Sequence, residues 1–296
     1  MPAVEDHRGL LMNVAYRILG SVAEAEDAVQ EAYSRWYALP STARDEVDSP
    51  AGWLITVTTR IGLDVLRSAR VRRERYVGEW LPEPVPEGAY WTSQASPEHG
   101  GDPADRISLD ESLSMALLVV LESMTPAERV SFVLHDVFRF TFAEIGEIVG
   151  RSPQACRQLA SSARQRVRLA GDSIDVPVQE HAHVVTVFKS ALESGDLAAL
   201  VEVLDPGVTA VGDGGGIVQA AVEPIVGAEN VARYLLSLRE KGRDLRFEIV
   251  TVNRRAGLAI KDDRAHPIAV ASFAITKGIV EQLWIVRNPI KLKSWQ

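Results

Sequence analysis

One cysteine, Cys156, occurs in 296 residues. That excludes an internal disulfide framework and any CxxC zinc site, and makes a reducing cytoplasm the expected setting. No run of about 18 apolar residues is present, so no membrane-spanning helix is expected. The opening residues, MPAVEDHRGL, lack the basic start and apolar stretch of a secretion signal. No internal repeat is evident. A surplus of positive charge is missing too: the net charge of -8 argues against a general nucleic-acid coat. Local sign says more than the sum. Six arginines fall within 60–75, and five within 151–168 without one acid, whereas 76–128 holds ten acids and one base, Arg106. Two basic stretches thus flank an acidic connector.

At about 150 residues per domain the length suits roughly two domains. Helices are predicted over 7–39, broken at Gly20-Ser21, over 51–75, and from Ser108 to Ser123. Thr125-Pro126 followed by Glu128 is a capped helix start. Thr141–Val149 and a last helix with Ser152 as N-cap and Pro153 at its first position complete the set. Residues 40–50 read as a loop and 77–107, rich in Pro, Gly and acids, as a linker. After 175 come helices over 178–194, 196–204 and 228–241, then four strand-like runs, LRFEIVTVN, GLAIKD, PIAVASFAIT and GIVEQLWIVRN. Helices followed by a meander predict a separate α+β domain.

Three helices carry candidate chemistry. In the second helix of 7–39, Ala25, Ala28, Val29, Ala32, Tyr33 and Trp36 recur as a core stripe, and Asp27, Gln30, Glu31 and Ser34 occupy the opposite face. That polar face calls for solvent or a protein partner. Within 51–75, Leu54, Val57, Ile61 and Val65 form an apolar stripe, with Thr56, Arg60, Arg67 and Arg70 on another face and Trp53 at the start. An aromatic ring beside arginines suits single-stranded DNA, whose bases stack on rings. A core tryptophan beside a solvated basic face is the plainer alternative. Residues 141–168 have the punctuation of a helix-turn-helix. Cys156, Leu159, Ala160, Ala163 and Val167 face inward; Gln154, Arg157, Gln158, Ser161, Arg164 and Arg168 face out. Gln and Arg reach adenine and guanine edges in the major groove, so Gln154, Arg157 and Gln158 are the base-reading candidates. Arg164 and Arg168 are candidates for the DNA backbone. His181 and His183 lie two apart on a helix and share no face, so no metal site is expected there.

These segments resemble a known family. EAEDAVQEAYSRWYAL (24–39) resembles the sigma-factor segment that docks on the clamp helices of RNA polymerase. PAGWLITVTTRIGLDVLRSARVRR (50–73) resembles the segment that melts and reads the −10 element, and 126–168 resembles region 4, the −35 reader. In this order they resemble an extracytoplasmic-function (ECF, group IV) RNA polymerase sigma factor. WLPEP (80–84), DGGG (213–216) and NPIKL (288–292) resemble the signature motifs of one ECF subgroup, whose members carry a fused SnoaL-like domain; Ile290 stands where that pattern usually has Asp.

The resemblance implies a multidomain chain. Two all-α sigma domains, the region 2 bundle (1–76) and the region 4 helix-turn-helix (108–171), would be joined by the acidic linker 77–107. A C-terminal α+β cone of the SnoaL, nuclear-transport-factor-like kind would span 176–296. It implies a non-enzymatic subunit without cofactor or metal, binding core RNA polymerase (β′ clamp and β flap) and promoter DNA, and regulated in cis without a separate anti-sigma factor. Asp27, Gln30, Glu31 and Ser34 would meet polymerase. Trp53, Arg60, Arg67 and Arg70 would meet −10 DNA, and Ser152, Gln154, Arg157, Gln158, Ser161 and Arg164 the −35 element. Trp80, Leu81, Pro82, Asp213, Gly214, Gly215, Gly216, Asn288 and Pro289 would form an interdomain regulatory surface. Some relatives of such cones are enzymes, for which Asp213 and His266 would be the acid–base candidates. A small-molecule ligand in the cone is a further expectation. The competing reading is a helix-turn-helix transcriptional regulator with a ligand-sensing SnoaL-like domain.

Overall fold

The computed structural model describes residues 4–73, 76–89, 113–170, 176–241 and 245–296. The expected cap Ser108 lies outside them. Among the described residues no helix is long and apolar enough to cross a membrane. The chain divides into two compact units. One comprises Met1–Glu74, Gly88–Ser112 and Val120–Ala170; the other comprises Arg75–Glu87, Leu113–Val119 and Gly171–Gln296.

In the first unit α1 (Arg8–Leu19) ends on left-handed Gly20, and Ser21 caps α2 (Val22–Ala38) by accepting the Glu24 N–H. The expected loop 40–50 contains a short helix, α3 (Ser41–Asp45). Five residues are too few to show an apolar period. α4 runs Pro50–Arg73. Its buried face differs from the expected stripe: Leu54, Ile55, Thr58, Thr59, Leu63 and Leu66 are buried, and Val57, Ile61 and Val65 only half so. Two threonines on the core side disguised that face, and Gly62 lets Ile18 of α1 approach closely.

Capping boxes open α6 (Pro126–Phe132, Thr125 with Glu128) and α7 (Phe142–Val149, Thr141 with Glu144). A π-helical turn, Val133–Val137, extends α6. α7 ends on left-handed Gly150, and Ser152 caps α8 (Pro153–Leu169). α5 (Met115–Glu122) precedes them, its first part belonging to the second unit. The two helical modules share a core: α4 packs on α6 and α7. Arg129, 2% exposed, donates to the Ile18 carbonyl at 2.9 Å and pairs with Glu122 at 2.7 Å.

The second unit holds a six-stranded sheet ordered β2-β1-β6-β5-β4-β3. β3 (Arg246–Val252), β4 (Arg255–Lys261), β5 (Pro267–Thr276) and β6 (Ile279–Val286) are the four expected strands in an antiparallel meander. β1 (Leu204–Asp213) lies parallel to β6 and also pairs the short β2 (Ile225–Val226); neither strand was expected. Pro206, Gly207 and Gly212 mask the strand character of β1. The helices α9 (Val178–Ser194), α10 (Leu197–Val203) and α11 (Ala228–Lys241) fall where predicted.

Strand alternation divides the core in two. Leu283 and Ile285 of β6, with Ala271 and Phe273 of β5, pack with Phe188, Leu200 and Val231 of the helices. Trp284 and Val286, with Val270 and Ala274, pack on the other face against Leu81, Met115 and Leu292. Both ends of the acidic connector are therefore core of the C-terminal unit.

Candidate nucleic-acid interface and connector clasp

α2 presents Asp27, Gln30, Glu31 and Ser34 together on an exposed face, over a buried stripe of Ala25, Ala28, Val29, Ala32 and Trp36. Tyr33, expected in that stripe, is half-buried and stacks on Tyr37. Glu31 pairs with Arg35 at 2.8 Å across an exposed turn, a contact too solvated to matter much to stability. On α4, Trp53 is half-buried, its ring edge-on to Trp36 with centroids 5.2 Å apart. Arg67 is exposed beside Asp64. Arg60 donates to the Glu147 carbonyl of α7 at 2.8 Å, where the helix C-terminal dipole favours a cation. The side chain of Arg70 lies outside the described residues.

On α8, Ser152, Gln154, Arg157, Gln158 and Ser161 are exposed, and Cys156, Ala160 and Ala163 are fully buried. Burial pushes the Cys156 thiol up, as suits a core residue. Arg157 lies over the Phe142 ring, 5.4 Å from its centroid. Arg164 is turned inward: its Nε donates to Asp136 Oδ1 at 2.6 Å. Burial raises Asp136 despite that bond. Glu128, beyond capping α6, accepts from Ser162 at 2.7 Å and stands 3.6 Å from Arg166. Burial pushes Glu128 up, but Ser162, Thr125 and Arg166 outweigh it and hold the carboxylate low. α8 is thus oriented by two acids, Glu128 and Asp136, whose place beneath it had no sequence signal.

The second constellation lies wholly in the C-terminal unit. Asp213, at 0% exposure, ends β1. Its Oδ1 accepts from the Tyr76 hydroxyl at 2.6 Å and the Gly215 N–H at 3.0 Å. Its Oδ2 accepts from the Leu81 N–H at 3.0 Å and Lys291 Nζ at 2.7 Å. Burial first, then the Asp213 carboxylate, pushes the Tyr76 phenol far above its ordinary 10.0, so it stays a donor. Lys291 also donates to the Leu81 carbonyl and lies over the Trp80 ring, 4.0 Å from its centroid. Asn288 donates to Tyr76 Oη at 2.9 Å and accepts the Ile290 N–H at 3.0 Å, fixing the turn that contains Pro289. Ile290 itself is exposed.

Glycine is required beside this carboxylate. Gly215 has φ +64, and a Cβ there would strike the Asn288 amide; at Gly214 it would strike the Val218 carbonyl. Gly216 completes the turn against Val77. The rest of the strap is sealed too: Pro82 and Pro84 are buried, and Trp295 Nε1 donates to the Pro84 carbonyl at 2.9 Å. Val85 exchanges hydrogen bonds with Asn253, at 3.0 Å and 2.9 Å.

Trp80, Leu81, Asp213, Gly215, Asn288 and Lys291 are therefore brought together. Tyr76, Asn253, Lys291 and Trp295 were missed by sequence reasoning; Lys291 alone had a signal, its place within NPIKL. Neither acid–base candidate fits catalysis. Asp213 has every lone-pair site filled on the connector side of the sheet, and His266 is an exposed turn residue beside Asp262. His181 is buried and bonded to the Phe273 carbonyl, while His183 is exposed. Among the described residues no cluster of three or more His, Cys, Asp or Glu could hold a metal ion.

The architecture defines a class: two helical modules, one a helix-turn-helix, fused to an α+β domain that seats their connector. Family models match sigma-70 region 2 over residues 3–72 and sigma-70 region 4 over 114–167. The chain is similar to the ECF RNA polymerase sigma factor SigJ of Mycobacterium tuberculosis, 39% identical over 95% of this chain and 89% of that one. It is also similar to the probable sigma factor SigI of the same organism, 39% identical over 78% and 73%. The crystal structure of SigJ superposes with TM-score 0.74 at 34% identity, covering 98% of this chain and 97% of that one. The protein belongs to the ECF RNA polymerase sigma factors. It is a non-enzymatic subunit that binds RNA polymerase and promoter DNA in transcription initiation.

Two outcomes are expected. Lys291→Met leaves Asp213 buried without its cation and should destabilise the C-terminal unit by about 3–5 kcal/mol, read from hydrogen exchange of the β6 amides; a loss under about 1 kcal/mol would show the pair to be marginal. Arg157→Ala should cost about 1–3 kcal/mol at one promoter base and relax specificity there, whereas Arg168→Ala should weaken all sequences alike and lower the salt slope by about one. Quantitative DNA binding by the holoenzyme separates them.

Proposed function

We propose that this sigma factor is restrained in cis by its C-terminal domain, which clasps both ends of the connector between the two DNA-reading modules. The observation that carries this is the shared core of Leu81 and Met115 with β5 and β6, sealed by Asp213 and Lys291. In the working state α2 meets the polymerase β′ clamp through Asp27, Gln30, Glu31 and Ser34, and region 4 meets the β flap. α4 opens and reads −10 DNA through Trp53, Arg60, Arg67 and Arg70. α8 reads the −35 element through Ser152, Gln154, Arg157, Gln158 and Ser161, with Arg168 on the backbone and Arg164, expected there too, held instead on Asp136. The domains follow the division 1–76, 77–107, 108–171 and 176–296, and the protein works in the cytoplasm without a separate anti-sigma factor.

Reach gives the restraint its physics. The 41 residues 74–114 join α4 to α5 and could extend to about 140 Å. The −10 and −35 elements lie roughly 25 base pairs apart, about 85 Å of duplex. A free connector spans that distance easily. With both ends on one sheet it spans almost nothing, and the Arg60–Glu147 bond holds α4 to α7 besides. Releasing the clasp frees the modules to spread. The cavity between helices and sheet supports a small-molecule ligand as the natural influence on that release.

In vitro transcription with core polymerase tests this, on promoters that the protein itself selects from a random library. Asp213→Asn in the full chain should raise transcript yield per sigma severalfold over wild type. Equal yields at every promoter would contradict restraint by the clasp.

A further inference from the structure

The sheet face opposite the clasp encloses a cavity of about 270 Å³ beneath α9 and α11. Its walls are hydrocarbon, among them Phe188, Leu235, Phe247, Leu258, Leu283 and Ile285. Among the described residues two charged side chains line it, Arg239 and Arg287, and no carboxylate does. Each guanidinium is held by a backbone carbonyl: Arg239 donates to Glu193 at 2.9 Å, and Arg287 to Gln219. A single such bond uses one of five donors in a rigid fork suited to a carboxylate.

From this arrangement we infer that the cavity binds an amphipathic monoanion, a carboxylic acid with a hydrocarbon body of on the order of ten non-hydrogen atoms. This rests on the reading of the cavity as a ligand site and adds the ligand's class. The size follows from volume: the cavity equals roughly nine water volumes at about 30 Å³ each. Hydrocarbon walls favour an apolar body. Two cations, with no carboxylate beside them among the described residues, reject a cationic head and favour an anionic one by charge-assisted bonds.

The position of Arg287 ties the cavity to the clasp. β6 alternates, Leu283 and Ile285 toward the cavity, Trp284 and Val286 toward the connector. Arg287 follows β6 directly; its side chain lines the cavity, and its backbone N–H donates to the Asp213 carbonyl at 2.7 Å. The next residue, Asn288, holds Tyr76. An anion on Arg287 therefore acts one residue from the bonds that seat the strap.

Calorimetric titration of the full chain with octanoate, octanol and octylamine tests the assignment. Octanoate should bind at least tenfold more tightly than octanol, with octylamine weaker still. Arg239→Gln and Arg287→Gln should each bring octanoate affinity down toward that of octanol and leave octanol binding unchanged. Because Arg287 adjoins the clasp and its loss could disturb folding, Arg239→Gln is the decisive variant, with octanol binding as its control for an intact cavity. Equal binding of octanoate and octanol would overturn the anionic class while the ligand site stood. Binding of neither would overturn both, and an octanoate preference that survives Arg239→Gln would overturn the assignment to the arginines.

Discussion

A carboxylate taken out of water is tolerated only when its oxygens are fully bonded. Asp213 meets that condition with four donors: a phenol, two backbone amides and an ammonium. The donors come from three separate segments, at 76–81, 215 and 291, and no one of them suffices. Burial of a single charge thus compels the connector, the glycine turn and the C-terminal tail to be present at once. Loss of any partner leaves a desolvated charge behind, so the clasp favours being whole or released over loosening by degrees.

The sheet makes this local condition matter to the whole chain. One strand, β6, has one face in the helical core and the other under the connector. Interiors are close-packed and transmit small shifts poorly absorbed elsewhere. A change in the cavity therefore has a short physical route to the strap, through alternate residues of one strand. The connector is acidic and proline-rich, a composition that gives it little reason to fold by itself; its ordered ends are supplied by a surface that it does not own.

Local signals were legible and distant ones were not. Caps could be read directly: Thr125-Pro126 with Glu128, Ser152-Pro153 and Gly20-Ser21 all mark helix ends where the structure has them. The meander β3 to β6 showed through its apolar runs. β1 did not, because Pro206 and two glycines interrupt it and its partner β6 is parallel and remote. The face of α4 was misjudged because Thr58 and Thr59 point inward although their polarity suggests otherwise. The three clasp motifs were noticed as motifs, yet their chemistry was hidden in sequence separation: Tyr76 and Asp213 are 137 residues apart and Lys291 lies another 78 beyond. No periodicity reaches that far.

Hydrogen–deuterium exchange across residues 76–87 measures the clasp most directly, comparing the free protein with the same chain bound to core polymerase on an open promoter. Strong protection of the Leu81 and Val85 amides in the free protein, lost in the promoter complex, is the expected result. Exchange that is fast in the free protein, or equally slow in both states, would contradict a restraint that opens when the modules engage DNA.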